Sequence, residues 1–259
     1  MRSCDVGSTM YSVSGALRAA AELAAVQQCR VIHGHAVVAG LDKNLIVGTA
    51  LVDGYGKAGL VFDARRVFNE NLSELNIVAL NAMMAGYAQQ GDKNSVLELF
   101  HLLETRGFVP DEYSFLAVLT AFCNAGLDFE SEKWMERMRV EYGLEPLEHY
   151  TCLICAVGRA GRLEDAERIA MAMPFEPDAA VWRVLLSSCI VHGAADMAWK
   201  MAQRFLVMGL SERSWRSATF EGAIPIVEKC LKTAGDDRRT ANGELVRLGG
   251  DGVLMRVAR

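Results

Sequence analysis

The chain has 259 residues, is 51% hydrophobic with only five prolines, and carries a net charge of −5, which excludes a disordered, low-complexity polymer and leaves room for one or two folded domains. Residues 1–210 hold 18 Lys+Arg against 25 Asp+Glu, a net of −7, and residues 211–259 hold 9 against 7, a net of +2. The acidic main body argues against holding nucleic acid by bulk charge alone, and no apolar run reaches the length of a membrane-spanning helix.

At the N-terminus, "MRSCDVGSTM" has neither an apolar signal-peptide core nor a long Arg/Ser-rich amphipathic stretch. Because repetition starts at about residue 10, the chain is expected to begin partway through a larger protein, after a lead-in over 1–9. Short loops then recur: "GYGKAG" (54–59), "GYAQQG" (86–91), "FCNAG" (122–126), "VGRAG" (157–161) and "IVHG" (190–193). Their last glycines, Gly59, Gly91, Gly126, Gly161 and Gly193, are 32, 35, 35 and 32 residues apart. A loop at that period marks a repeat architecture.

Aligned on those glycines, the units are 10–44, 45–76, 77–111, 112–146, 147–178 and a partial one from 179. Each opens with apolar residues at helical spacing, as in Leu51, Val52 and Tyr55, or Met83, Met84 and Tyr87. The glycine, tolerant of left-handed dihedrals, stops that helix. A second amphipathic stretch follows: "DARRVF", "NSVLELF", "ESEKWMERM", "DAERIAMAM". Pro110, Pro146 and Pro177 close three units, where proline prevents the second helix from continuing. One such hairpin cannot bury its apolar faces alone, whereas stacked hairpins can. The pattern therefore predicts an all-α, right-handed solenoid with a concave groove. Met83 and Leu119 are expected in the packing between repeats.

The seven cysteines (4, 29, 123, 152, 155, 189, 230) form no disulfide framework. Cys152 and Cys155 make a C-x-x-C, but no second pair follows at zinc spacing, and "HYTCLICAVGRAG" reads as helix with two small core residues. No metal or cofactor is expected. His33 and His35, in "HGH", fall on opposite sides of a helix and read as ordinary helix residues.

Tetratricopeptide repeats share the hairpin plan but keep a steady 34-residue period with an early Trp. The present units run 35, 32, 35, 35 and 32, and the first five lack that Trp. "GTALVDGYGKAGLVFDARRVF" resembles a short motif, and "LNAMMAGYAQQGDKNSVLELFHLLETRGFVPD" a 35-residue motif, of the plant pentatricopeptide repeat family, in the subclass with alternating motif lengths. "SFLAVLTAFCNAGL", "MRVEYGLEP" and "EHYTCLICAVGRAGRLEDAERIAMAMPFEPD" resemble the last long and short motifs of such an array. "AAVWRVLLSSCIVHGAADMAWKMAQRF" resembles the E-type extension that follows them, over 179–208.

The resemblance implies single-stranded RNA as partner, one base per repeat. The fifth and last positions of a motif would choose the base, giving the pairs Ser14/Asn44, Thr49/Asn76, Asn81/Asp111 and Thr151/Asp178. The family's code assigns these A, A, U and G. Leu116 and Pro146 occupy the same places in 112–146 and select nothing, so the implied ligand is 5′-A-A-U-N-G-3′. Tyr11, Ile46, Val78 and Tyr113 would sandwich the bases; Glu148, at the matching place, departs from the pattern. Lys57 and Arg159 would meet phosphate, whereas their counterparts Glu22, Gln89 and Asn124 cannot neutralise it. Taken singly, the same Asn, Ser, Thr and Asp residues read equally as N-caps and Lys57 and Arg159 as solvated charges. Exchanging Asn81 for Thr, expected to be exposed in the groove, should move the third base from U toward G without unsettling the fold.

Arrays ending in this extension usually belong to organellar RNA-editing factors, which implies a mitochondrial or chloroplast location and a deaminase as partner. The deaminase signature H-x-E…P-C-x-x-C is missing from the sequence, since "HGH" lacks the glutamate and Thr151 precedes Cys152. The expectation is therefore a non-enzymatic specificity factor that recruits a deaminase in trans. The alternative is a helical scaffold for a peptide or partner helix, or a non-functional gene fragment; no membrane or small-molecule partner is expected. After about Phe205 the pattern breaks, as an altered reading frame or retained intron would cause. Residues 209–259 are expected to be mostly disordered, with at most one short helix near Ile226–Thr233. An end without a matched cap is expected to leave Trp182, Leu185, Leu186 and Trp199 exposed and the chain prone to associate.

Overall fold

The computed structural model describes residues 8–70 and 76–194, positions 196–198, 200–201 and 204, and the backbone of three short strands between 238 and 257. Eleven helices lie in the described residues: α1 (Met10–Glu22), α2 (Val26–Val38), α3 (Leu45–Lys57), α4 (Val61–Glu70), α5 (Ile77–Gln89), α6 (Lys93–Thr105), α7 (Glu112–Ala125), α8 (Asp128–Tyr142), α9 (Leu147–Arg159), α10 (Leu163–Ala172) and α11 (Ala179–Val191). The odd-numbered helices start 35, 32, 35, 35 and 32 residues apart. The chain divides into two compact units, Met1–Leu144 and Glu145–Arg259.

In the first unit each odd helix packs against its even partner and against the next odd helix, so α1, α3, α5 and α7 form one continuous row. The even helices α2, α4 and α6 each also touch the following odd helix. This is the packing order of an α-solenoid. Its core is built from the apolar faces the periodicity marks: Leu51, Val52 and Tyr55 on α3, Met83 and Met84 on α5, Leu119 and Phe122 on α7, all buried. Phe115 packs edge-on against Phe100 of α6 and Tyr142 of α8, and Trp134 of α8 packs edge-on against Phe100. The Arg137 guanidinium lies over the Trp134 ring, 4.9 Å from its centroid, and pairs with Glu104 and Glu141.

The loop glycines Gly59, Gly91, Gly126, Gly161 and Gly193 all have φ between +66° and +83°. An L-residue with a Cβ is strained there, which is why glycine recurs. The prolines act differently from the sequence reading. Gly107 (φ +79°) and Gly143 (φ +65°) stop α6 and α8 before Pro110 and Pro146 are reached. Pro146 instead stands as the N-cap residue of α9.

In the second unit α9, α10 and α11 pack on one another. Trp182, Leu185 and Leu186 are buried, not exposed as expected of an uncapped end. They lie on α11, which covers α9 and α10, and the Trp182 indole donates to the Pro177 carbonyl at 3.1 Å. Ala198 and Met201 are buried as well, while Trp199 lies outside the described residues.

Ten residues of the tail are described, all in short strands. Strands β1 (Arg238–Arg239), β2 (Leu245–Leu248) and β3 (Leu254–Val257) pair antiparallel in that order, with Val246 opposite Arg256 and Leu248 opposite Leu254. The sequence carries the reason: "LVRL" and "LMRV" are short β-prone runs separated by a Gly-Gly-Asp-Gly turn signal. The short helix expected near Ile226–Thr233 lies outside the described residues.

Candidate nucleic-acid interface

Tyr11, Ile46, Val78 and Tyr113 are each the second residue of α1, α3, α5 and α7. Their exposures are 69%, 44%, 58% and 62%. Because those four helices pack in sequence, one structural position repeats along the row and lines up apolar side chains that the core does not use. The helix starts themselves are set by side-chain caps. Thr9, Asn44, Asn76 and Asp111 accept from the amides of Ser12, of Ile46 and Val47, of Ala79, and of Ser114. Each exposed apolar group thus sits beside a polar, capped helix entry. On α9 the same place holds the exposed Glu148, and Pro146 offers no side-chain cap.

The pairs expected to choose bases fall into two kinds. Asn81 Nδ2 donates to Asp111 Oδ1 at 2.8 Å, so that pair is joined directly. In the other three pairs no side-chain hydrogen bond links the two members. Ser14 donates to the Tyr11 carbonyl at 3.2 Å, while Asn44 caps α3 and donates to Met10 Sδ at 3.4 Å. Asn76 caps α5, while Thr49 is half-buried on α3. Thr151 donates to the Leu147 carbonyl at 3.2 Å, and Asp178 caps α11 through the amides of Ala180 and Val181. Leu116 is half-buried.

Asn81 is not exposed: only 9% of it is accessible, and its Oδ1 accepts from the Ser114 hydroxyl at 2.8 Å. It lies between α5 and the start of α7, bonded to both Asp111 and Ser114. Asn81→Thr is therefore expected to lower stability by about 1–3 kcal/mol, since one end of a buried, doubly bonded amide loses its partner. Thermal melting against the parent chain checks this, and an unchanged midpoint would restore the exposed reading.

Lys57 is held by its own protein. Its Nζ lies 2.8 Å from Glu22 Oε1 and 3.1 Å from Asp53 Oδ2. The hydrogen bond with Glu22 keeps the ammonium above its ordinary pKa and Glu22 below the usual carboxylate range, so both stay charged at neutral pH. Glu22 is the residue of the first unit at the register Lys57 occupies in the second. A phosphate at Lys57 would have to displace it. Arg159 is exposed at the end of α9, where its carbonyl meets His192 Nε2 at 3.0 Å.

His33 Nδ1 meets the Tyr55 hydroxyl at 2.8 Å, joining α2 to α3, and His35 Nε2 meets Ser8 Oγ at 2.6 Å. Burial pushes His33 down from its ordinary pKa. Among the described residues no group of three or more His, Cys, Asp or Glu could hold a metal ion. Likewise no described helix is long and apolar enough to cross a membrane.

Ser114, bonded to both Asn81 and Asp111, is absent from the residues the resemblance marks. Its signal was present: Asp111 and Ser114 have capping-box spacing, D-x-x-S.

The model of the PPR repeat family matches residues 75–124, and that of the single PPR repeat matches 49–70, 113–141 and 148–174. The chain is 36% identical over 207 residues to the pentatricopeptide repeat-containing protein At4g33170 of Arabidopsis thaliana, covering 80% of this chain and 21% of that protein. It is 37% identical over 196 residues to At4g14850 of the same plant, covering 74% and 28%. With At3g26782, mitochondrial, it shares 35% over 188 residues, covering 72% and 28%. The chain thus spans about a fifth to just over a quarter of the length of these relatives. Among solved structures, the pentatricopeptide repeat protein PPR10 in complex with an 18-nt psaJ RNA element superposes with a TM-score of 0.73 at 18% identity, over 86% of this chain and 32% of that one.

Proposed function

From a chain that belongs to the PPR repeat family, we propose a sequence-specific single-stranded RNA-binding repeat protein that does no chemistry of its own. The observation that carries this is the row of exposed Tyr11, Ile46, Val78 and Tyr113 on successive helices, each beside a polar helix entry. Flat or branched apolar groups at that regular spacing suit bases inserted between them, at about 1–3 kcal/mol per base. The polar pairs Ser14/Asn44, Thr49/Asn76, Asn81/Asp111 and Thr151/Asp178 then face the base edges, and the preferred ligand is 5′-A-A-U-N-G-3′. With Lys57 engaged by Glu22 and the body acidic, phosphate attraction contributes little, so affinity is modest and depends weakly on salt.

The alternating unit lengths and the segment 179–208 support a finer reading: the alternating-length subclass with an E-type extension, acting as an organellar C-to-U editing specificity factor that recruits a deaminase in trans. The relative whose name places it in the mitochondrion supports an organelle as the site of action.

A gel-shift titration tests the RNA reading, with one oligonucleotide carrying AAUNG and another carrying the same bases scrambled. The AAUNG strand is expected to bind at least about tenfold tighter, the worth of one well-stacked, correctly paired base. Equal binding of both, or none, defeats the proposal and leaves the helical scaffold for a peptide as the standing alternative.

A further inference from the structure

Ser114 lies outside the two positions assigned to base choice, yet it completes a closed hydrogen-bond ring with the pair that does the choosing. It is fully buried at the third position of α7. Its Oγ is 2.8 Å from Asn81 Oδ1 and 2.9 Å from Asp111 Oδ1, and it accepts from the Asp111 amide at 3.3 Å. A serine has a single hydroxyl hydrogen, so the two acceptors compete for it. Asp111 Oδ1 already receives the Ser114 amide at 2.9 Å and Asn81 Nδ2 at 2.8 Å. Among the described residues Asn81 Oδ1 takes part in no other hydrogen bond. A buried carbonyl left without a donor is costly, and the hydrogen therefore goes to Asn81.

We infer that Ser114 is a positioning residue for base recognition at the third nucleotide, locking the Asn81 amide so that the pair favours keto bases over amino bases. This rests on the RNA-binding reading. Asp111 constrains only the nitrogen end of the amide; Ser114 holds the oxygen end and fixes the amide plane. Among the described residues the ring leaves unspent one N–H of Asn81 and the Oδ2 of Asp111, a donor and an acceptor flanking the Asn81–Asp111 bond. Uracil and guanine present a carbonyl oxygen beside a ring N–H, the matching order. Cytosine and adenine present an amino group beside a bare ring nitrogen, the reverse order. With the amide locked, the reverse order leaves two donors and two acceptors facing each other.

The other units lack this lock. Val47 takes the place of Ser114 after the pair Ser14/Asn44, and Ala79 after Thr49/Asn76, and neither has a hydroxyl. The third base is accordingly the one most sharply read.

The test measures fluorescence anisotropy of the full chain, as Ser114→Ala, as Ser114→Thr and unaltered, with RNAs differing at single positions of AAUNG. The unaltered chain is expected to prefer U or G over C or A at the third base. Ser114→Ala should reduce that ratio by about 5- to 10-fold, the worth of one hydrogen bond, with preferences at the first two bases unchanged. Ser114→Thr, which keeps the hydroxyl, should keep the ratio. If Ser114 only caps α7, Ser114→Ala weakens all RNAs equally, and the inference is overturned. If the unaltered chain cannot tell AAUNG from its scramble, the RNA reading fails first and this inference with it. Should Ser114→Ala not fold, NMR of the unaltered chain decides: a Ser114 hydroxyl proton slow enough to observe is expected, and exchange at the rate of a free serine overturns the lock.

Discussion

Leu119→Ala is expected to cost the array about 2–5 kcal/mol, and Met83→Ala a similar amount, because both side chains are wholly buried and their removal leaves cavities. Leu119 lies on α7, which packs on α5, α6 and α8; Met83 lies on α5, which packs on α3, α4, α6 and α7. Three or four helices pack on each of these two, so no single neighbour can move in to fill the space without breaking its contacts with the next hairpin. Loss of the transfer free energy alone would give the lower end of the range; the unrelieved cavity supplies the rest. Phe62 is the control. It is large and apolar but 95% exposed on α4, and Phe62→Ala should stay within about 0.5 kcal/mol. Urea denaturation of the three variants measures the contrast. A Leu119→Ala midpoint close to that of Phe62→Ala would mean that α7 is not held between hairpins.

The same apolar periodicity that marks Met83 and Leu119 made the helices legible from the sequence. It is a local, repeated signal: a glycine forced to positive φ every 32 or 35 residues, followed by an amphipathic stretch. The row of Tyr11, Ile46, Val78 and Tyr113, exposed in the structure, is reached only through the family resemblance, which singles out the second position of each motif. What escaped the sequence depends on contacts between helices. Asn81 looks like any polar groove residue until Ser114, 33 positions away, is seen bonded to its oxygen. Lys57 looks like a free cation until Glu22 of the preceding hairpin is found 2.8 Å away. Trp182 and Leu186 look stranded at the end of the pattern, yet α9 and α10 of their own unit bury them. The small sheet was hidden by its brevity, since runs of two to four residues give too little alternation to stand out from coil.

Gly158→Ala should destabilise the second unit by about 1–3 kcal/mol, against the usual direction of a glycine-to-alanine change in a helix. Gly158 is the next-to-last residue of α9, and alanine in a helix is ordinarily worth up to about 0.5–1 kcal/mol more than glycine. Here a Cβ on residue 158 would stand 2.5 Å from Ser188 Oγ and 2.9 Å from Ser188 Cβ. Rotating the hydroxyl away cannot cure the overlap, because Ser188 Cβ is fixed to the backbone of α11. The hydroxyl is also engaged, donating to the Val184 carbonyl at 3.0 Å. The two helices must therefore separate locally, and Trp182, Leu185 and Leu186 on α11 lose packing as they do. Strain of this kind is relieved by removing either partner, which makes a double-mutant cycle decisive. Ser188→Gly alone should cost about 1 kcal/mol, as expected for a glycine placed in a helix. In the background of Ser188→Gly, Gly158→Ala should become neutral or stabilising, because the propensity gain is then unopposed. Thermal melts of the four proteins give the coupling directly. Additive costs would show that α9 and α11 do not approach each other at Gly158 and Ser188.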